Sequence, residues 1–292
     1  MKLSTINTAL KPLNATGDRK RAPIEALHFM SSVGFEAADI NLCISIGENG
    51  YLKDEDWKQT VEEIGRTAKE CNIEISQSHL PFYNFAAPGC ENLEFRAQMF
   101  SRSIEASAIL GVKWAVFHTG NASDAVLSVK ESKRRTLEYI LPYFEKASKL
   151  GVGIAIENLF IPEYLHNTHR YCSNVEDVID LVDTLGEGAG VCWDFGHANL
   201  NGDDQSDSLR EVGKRLKVIH VHDNNSSHDD HAAPYMGRTT VKWEEVLPTL
   251  HEIGYEGNFN FEVSATKVPR ELHKSFAEYL IETGKYMISQ IK

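Results

Sequence analysis

The chain has 292 residues, of which 42% are hydrophobic and 25% are charged, and its net charge is −12 with histidine neutral. This composition is typical of a globular protein with one large core. The acidic balance disfavours a nucleic-acid partner, because binding a polyanion requires clustered Lys and Arg. No apolar run approaches the ~20 residues of a membrane span, and the first residues lack the apolar core of a signal peptide.

The five cysteines are scattered along the chain and form no C-x-x-C pair. An odd number without metal or redox spacing indicates reduced thiols rather than a disulfide framework. Together with the missing membrane and export signals, this pattern predicts a cytoplasmic protein with no membrane partner.

Strand-like apolar runs alternate with helical patterns from end to end. The eight predicted strands span 3–7, 35–42, 73–79, 114–120, 153–159, 190–197, 216–224 and 257–264. The predicted helices span 23–33, 56–71, 91–110, 129–150, 173–186, 204–215, 241–254 and 271–290. Eight strand–helix units predict an α/β fold, a (β/α)8 or TIM barrel that forms a single domain over residues 1–292. An open dinucleotide-binding sheet is disfavoured, because no G-x-G-x-x-G follows the first strand.

Several predicted strands end in imidazole or carboxylate groups rather than in ordinary turn residues. These residues are His79, His118, Glu157, Asp194, His197, His220 and Glu262, with Asp229 and His231 in the loop after strand seven and His222 as a further candidate. Burying such groups without a partner costs several kcal/mol. Because the carboxyl ends of barrel strands meet at one face, the pattern predicts a bound cation there. Mixed nitrogen and oxygen ligands suit Mn, Zn, Co, Fe or Mg.

Aromatic residues near this face divide into two groups. Trp114 opens its strand and is predicted to pack at the bottom of the barrel, whereas Trp193 is predicted to face the helices. Three others lie on loops at the site end and are predicted to line a pocket: Phe82, Tyr83 and Tyr235.

The ordered motifs SH, FHTG, ENL, WDFGH, HVHDN, D-x-H and FEV resemble those of the xylose isomerase-like barrels. That group includes sugar and sugar-phosphate isomerases and epimerases, inosose dehydratases and type-IV apurinic endonucleases. The resemblance implies one divalent metal ion held by Glu157, Asp194, His220 and Glu262. It also implies that Glu157 and Glu262 exchange protons with the substrate. Residues matching substrate-binding positions are His79, His118, Glu163 and His197.

A metal-dependent isomerase or epimerase of carbohydrate metabolism is therefore the expected function, with a sugar, polyol or sugar phosphate as substrate. The same constellation also suits dehydration of an inosose or keto-polyol, since all three reactions begin with loss of a proton beside a carbonyl. The sequence departs from the pattern of the ketose epimerases at one point, because those enzymes carry an arginine near the position of Ser226. Here Arg238 and Lys242 are the candidates for contacting a substrate carboxylate or phosphate.

Two other functional classes remain open. Counterparts of the apurinic-endonuclease ligands are all present, so three zinc ions could hydrolyse a phosphodiester in abasic DNA. The net charge and the scarcity of Lys and Arg in the site loops disfavour that reading. The other class is a barrel that binds a sugar without turning it over. Members of the group often form dimers or tetramers, so a homo-oligomer is also expected.

Overall fold

A computed structural model describes residues 1–47, 50–87, 89–122, 128–162 and 169–292, which form eight strands and nine α-helices. The strands are β1 (Leu3–Ile6), β2 (Ala37–Asn41), β3 (Glu74–His79), β4 (Trp114–Phe117), β5 (Gly153–Glu157), β6 (Ala189–Asp194), β7 (Leu216–His220) and β8 (Phe259–Phe261). The helices are α1 (Ala22–Val33), α2 (Trp57–Glu70), α3 (Leu93–Leu110), α4 (Val129–Lys149), α5 (Val175–Leu185), α6 (Phe195–Asn201), α7 (Gln205–Val212), α8 (Trp243–Glu252) and α9 (His273–Gln290).

The strands form one parallel sheet in the order β7-β6-β5-β4-β3-β2-β1-β8. A parallel bridge between Val221 and Phe261 joins the two end strands. Consecutive strands are neighbours and their connections carry helices, as parallel crossovers require. The predicted (β/α)8 barrel is therefore confirmed, and the carboxyl ends of all eight strands meet at one face.

Packing separates the residues outside the barrel from those inside it. Trp193 is fully buried and donates its indole N–H to Gln205 of α7 at 3.3 Å, so it faces the helices as predicted. Inside the barrel a small apolar cluster forms from Val116, Ala155, Cys192 and Val218, with Trp114 packed against it. Trp114 begins β4 and therefore lies toward the bottom, also as predicted. This cluster fills the barrel beneath the polar strand ends.

The helices form where apolar residues recur on one face. In α2 the buried residues Trp57, Val61, Ile64 and Ala68 recur at helical spacing, and the charged residues between them are exposed. No helix in the described part of the chain is both long and apolar enough to cross a membrane. All five cysteines are free.

Strand six is shorter than the sequence predicted. It ends at Asp194, and α6 begins at the next residue. The Asp194 side chain accepts a hydrogen bond from the backbone N–H of His197 at 2.7 Å, which caps the first turn of the helix. His197 therefore lies on a helix and not on a strand. The prediction missed α6 because seven residues are too few for a helical period to stand out.

We expect Gly284→Ala in α9 to lower the free energy of unfolding by about 1–3 kcal/mol, because overpacking a core is costly. A Cβ atom there would lie 2.3 Å from Leu3 Cδ2 and 2.9 Å from Phe261 Cε2. The matched control is Gly65→Ala in α2, whose Cβ would meet Leu110 at 3.6 Å. The control should instead stabilise the protein by up to about 1 kcal/mol. Urea unfolding checks both, and equal stabilisation by the two substitutions would contradict the packing of α9.

Candidate active site

His220 lies at the centre of the predicted metal-binding quartet. Its Nδ1 atom is 2.9 Å from Glu262 Oε2, 3.4 Å from Glu157 Oε2 and 3.7 Å from Asp194 Oδ2. Strands β5, β6 and β7 end at Glu157, Asp194 and His220, and Glu262 follows β8 directly. The structure therefore brings the four predicted ligands together, with three of them almost completely buried.

His79 and His118 flank the same two glutamates. His118 Nε2 lies 2.8 Å from Glu157 Oε2. His79 Nε2 lies 3.6 Å from Glu157 Oε2 and 3.6 Å from Glu262 Oε1. These histidines extend the donor set on the side of β3 and β4.

The remaining predicted residues form a third group on the opposite side. His197 Nδ1 is 3.2 Å from Glu157 Oε1, and its Nε2 is 3.7 Å from Asp229 Oδ2. His231 Nε2 lies 3.2 Å from the same Asp229 oxygen, and its Nδ1 atom is 2.7 Å from the carbonyl oxygen of Glu262. The D-x-H segment of the loop after β7 is thus folded back over the strand ends.

These residues suit a divalent cation. His220 Nδ1 and Glu262 Oε2 are both buried and lack a hydrogen-bond partner in the described chain, although they lie 2.9 Å apart. Asp229 Oδ1 is likewise buried without a partner. Imidazole nitrogens and carboxylate oxygens are the ligands that Zn, Mn and related ions take in proteins. An ion between these atoms would satisfy groups that are otherwise costly to bury.

A second layer of polar residues holds the histidines in place. His79 Nδ1 lies 3.0 Å from Asp39 Oδ2, which also accepts from Gln77 Nε2 at 3.1 Å. Gln77 Nε2 is in turn 2.9 Å from His220 Nε2. Asn158 donates to the backbone carbonyl of Asp194 and accepts from its N–H, which fixes the end of β6.

Asp39 and Gln77 were not predicted from the sequence. Asp39 is fully buried in β2 among apolar neighbours, and an acidic residue inside an apolar strand was the available signal. Its Oδ2 atom contacts His79 and Gln77 of β3, and these contacts fix the orientation of the His79 ring.

Neighbouring charges in this cluster shift the pKa values of its histidines and carboxylates. Burial alone would lower the pKa of His79, but the carboxylates of Asp39 and Glu262 raise it from 6.5 to about 10. Burial alone would raise the pKa of Glu262, but the positive charges of His220 and His79 lower it to about 2. The pKa of His231 is raised to about 9, because its contact with Asp229 outweighs burial. The carboxylates thus favour the protonated forms of His79 and His231.

A cavity of about 350 Å³ opens above the cluster. Its polar floor contains Glu157 and Glu262, while Asp194 and His220 lie below it. The walls are formed by Ile6, Asn41, Cys43, Phe82, Leu159, Phe160 and Arg170. Phe82 stacks on His118 with ring centroids 4.8 Å apart, so the apolar wall touches a candidate ligand directly.

Three other predicted site residues lie outside this cavity lining. The hydroxyl groups of Tyr83 and Tyr139 share a hydrogen bond of 2.7 Å, and the Tyr235 side chain is half exposed. Arg238 is exposed, and the guanidinium at the cavity wall is that of Arg170. Glu163 falls outside the described residues. Arg170 was missed because no recognisable sequence motif precedes it.

Comparisons with known proteins agree with this fold. The family described as Xylose isomerase-like TIM barrel matches residues 27–282. An uncharacterised protein of Methanocaldococcus jannaschii is 27% identical over 239 residues, covering 79% of this chain and 76% of that protein. A D-psicose 3-epimerase of Enterocloster bolteae is 29% identical over 97 residues, which are 32% of this chain and 30% of that enzyme. A solved D-tagatose 3-epimerase-like protein shares the fold, with a TM-score of 0.75, 18% identity and 99% of both chains covered.

We expect the stabilisation conferred by a divalent metal to grow as the pH rises from about 6.5 to 8.5, because metal ligands must lose their protons. The raised pKa of His79, from 6.5 to about 10, means that its protonated form stabilises the metal-free fold fully below pH 6.5. This contribution is lost as the pH rises toward 10. The melting temperature in EDTA should therefore fall over this range, while that with Mn²⁺ should fall less.

The control is His79→Gln, which removes one titrating group. In EDTA, its melting temperature should change less with pH than that of the native protein. A metal-induced shift of equal size at pH 6.5 and 8.5 would contradict the protonated cluster.

Proposed function

Because the chain belongs to the xylose isomerase-like TIM barrel family, we propose that it is a divalent-metal-dependent isomerase or epimerase of sugars or sugar phosphates. Relatives named as a D-psicose 3-epimerase and a D-tagatose 3-epimerase-like protein support this class. The observation that carries the proposal is that Glu157 and Glu262 both line the cavity and both contact His220 Nδ1.

The residues that would hold the ion are Glu157, Asp194, His220 and Glu262. A divalent ion bound there would polarise a substrate carbonyl and stabilise the negative charge that develops when the neighbouring carbon loses its proton. His79 and His118 lie beside the same glutamates and are placed to contact substrate oxygens.

The two glutamates are suited to transfer protons. Both carboxyl groups have pKa values held below 4.5 by neighbouring histidines, despite burial, so each is ionised and able to accept a proton at neutral pH. They come from β5 and β8, which are three strands apart around the closed barrel. A substrate carbon between them is approached from two directions. If one carboxylate removes the proton and the other returns a proton to the opposite face of the same carbon, the configuration is inverted, which is epimerisation. If a proton is instead returned to the adjacent carbon, the reaction is isomerisation.

The walls of the cavity favour this chemistry by limiting water. Phe82 and Phe160 cover His118 and His197, with ring centroids 4.8 and 5.0 Å apart respectively. Excluding water strengthens the electrostatic interactions inside the site and protects a carbanionic intermediate from random protonation. The apolar faces of these rings also match the C–H face of a sugar. His197 keeps Nε2 directed toward Asp229 at the cavity edge.

We expect Glu157→Gln and Glu262→Gln each to reduce turnover by about 10²–10⁴-fold, the usual contribution of a positioned general base. Incorporation of deuterium from D2O into ketohexoses such as D-psicose and D-tagatose, followed by NMR, measures the proton transfer. Glu74→Gln is the control, because Glu74 begins β3 at the opposite end of the barrel and pairs with Lys2. Full exchange in both site variants would exclude the two-glutamate mechanism.

A second candidate is metal-dependent phosphodiester hydrolysis. The observation favouring it is that His197, Asp229 and His231 also converge beside the quartet, so nitrogen and oxygen donors for more than one ion are present. A sugar isomerase is expected to bind about one ion tightly and to leave abasic DNA uncut. Elemental analysis giving three zinc ions per chain, with cleavage of an abasic-site duplex, would establish the hydrolase instead.

The remaining alternatives use the same cavity and give other products. Release of water from an inosose would identify a dehydratase, and sugar binding without deuterium exchange would identify a non-catalytic barrel. The cytoplasmic location and the homo-oligomer stay predictions.

A further inference from the structure

His222 is completely buried two residues after His220, yet it does not line the cavity. Its Nε2 atom lies 2.9 Å from Asp194 Oδ1 and 3.0 Å from Asp194 Oδ2. Its Nδ1 atom is buried without a hydrogen-bond partner in the described chain. An ionised carboxylate can only accept hydrogen bonds, so the imidazole nitrogen that faces it is the one that must donate. His222 therefore directs an N–H at both oxygens of a predicted metal ligand.

Two hydrogen-bond donors contact the carboxylate of Asp194, and its Oδ2 atom keeps one side free. The backbone N–H of His197 donates to Oδ1 at 2.7 Å, and His222 Nε2 contacts both oxygens. The Oδ2 atom also faces His220 Nδ1 at 3.7 Å, which is longer than a hydrogen bond and leaves space between the two ligand atoms. The donors thus fix the plane of the carboxylate relative to the other ligands.

Gly196 provides the space for the His222 ring. A Cβ atom at position 196 would lie 1.9 Å from His222 Cε1 and 2.4 Å from Nδ1. Gly196 has no positive φ angle, so backbone conformation does not require glycine here. The carbonyl of Gly196 accepts a hydrogen bond from Asn224 Nδ2 at 2.8 Å, which ties the start of α6 to the loop after β7. Close approach to the imidazole is what requires glycine.

His222 also contacts the loop that closes the site. Its ring stacks on His231 with centroids 4.1 Å apart and an interplanar angle of 21°. His231 Nε2 lies 3.2 Å from Asp229 Oδ2. One buried imidazole therefore packs against the D-x-H loop and hydrogen-bonds to the quartet.

From these contacts we infer that His222 is a positioning residue, which orients Asp194 for metal binding, and that the lack of a side chain at Gly196 admits its ring. The inference rests on the metal site of the proposed function. It assigns His222 the role of a hydrogen-bond donor to a ligand rather than that of a ligand itself. Partners of this kind fix the orientation of the ligand that they contact.

The direct test is the affinity of the metal-free protein for Mn²⁺, measured by competition with a chelator. His222→Phe keeps a ring but removes the donor, and it should weaken binding by about 10–100-fold, the usual effect of losing such a partner. His222→Gln keeps an N–H donor at similar reach and should restore most of the affinity. The number of bound ions should not change in either variant, and circular dichroism verifies the fold.

A double-mutant cycle tests the role of Gly196 independently. Gly196→Ala should weaken Mn²⁺ binding in the native background, because the added methyl group displaces the ring. In a His222→Ala background the same substitution should cost little, because the ring is absent and the two positions are coupled. Gly65→Ala serves as the control, since its added methyl group has room and lies in α2.

The possible outcomes separate this inference from the proposed function. Absence of Mn²⁺ binding by the native protein would remove the proposed metal site and this inference with it. Native-like affinity in His222→Phe would overturn the positioning role alone. If the native protein binds several ions and His222→Phe binds one fewer, His222 is itself a metal ligand. That result would also overturn the positioning role. If His222→Phe does not fold, additive effects in the Gly196 cycle contradict the inference.

Discussion

The burial of several carboxylates at one end of a closed barrel is the constraint on which the rest of this structure depends. Glu157 and Asp194 are almost fully buried, and Glu262 is only slightly exposed. Their ion-pair partners in the described chain are imidazoles. Buried charges are stable only when they are paired and hydrogen-bonded. The cluster is therefore built for a cation, either protons on the histidines or a metal ion that replaces them.

The surrounding layer explains how such a cluster keeps its geometry. Three of the site residues have such a partner: Asp39 contacts His79, Gln77 contacts His220, and His222 contacts Asp194. These partners come from β2, from β3 and from the chain after β7, so several strands must be in register before the site exists. The apolar cluster beneath them keeps the barrel filled and leaves the polar groups only one open direction, toward the cavity. Rigid placement of this kind is what the proposed proton transfer requires.

The strand–helix alternation, the barrel and the converging ligand residues were predictable because they depend on local patterns. Apolar runs and helical periodicity identify elements, and parallel strands put their carboxyl ends together. The errors arose where one residue serves two purposes. Asp194 is both the end of β6 and the cap of α6, so the sequence pattern extended the strand over what is a helix. Tyr83 and Tyr235 lie on loops at the correct end, but loop position alone does not give side-chain direction.

The sequence by itself determined the fold class and the face at which the polar strand ends meet, because these follow from periodicity and from the unusual polar endings of buried strands. The proposed set of metal ligands came from the resemblance of the motifs to a known family. Only the tertiary structure decided which polar residues contact one another. Asp39 and Gln77 lie far in sequence from His220, and no sequence pattern shows that His222 Nε2 contacts Asp194. Contacts of this kind depend on the register of neighbouring strands and on side-chain direction, and neither quantity is encoded in any short segment of the chain.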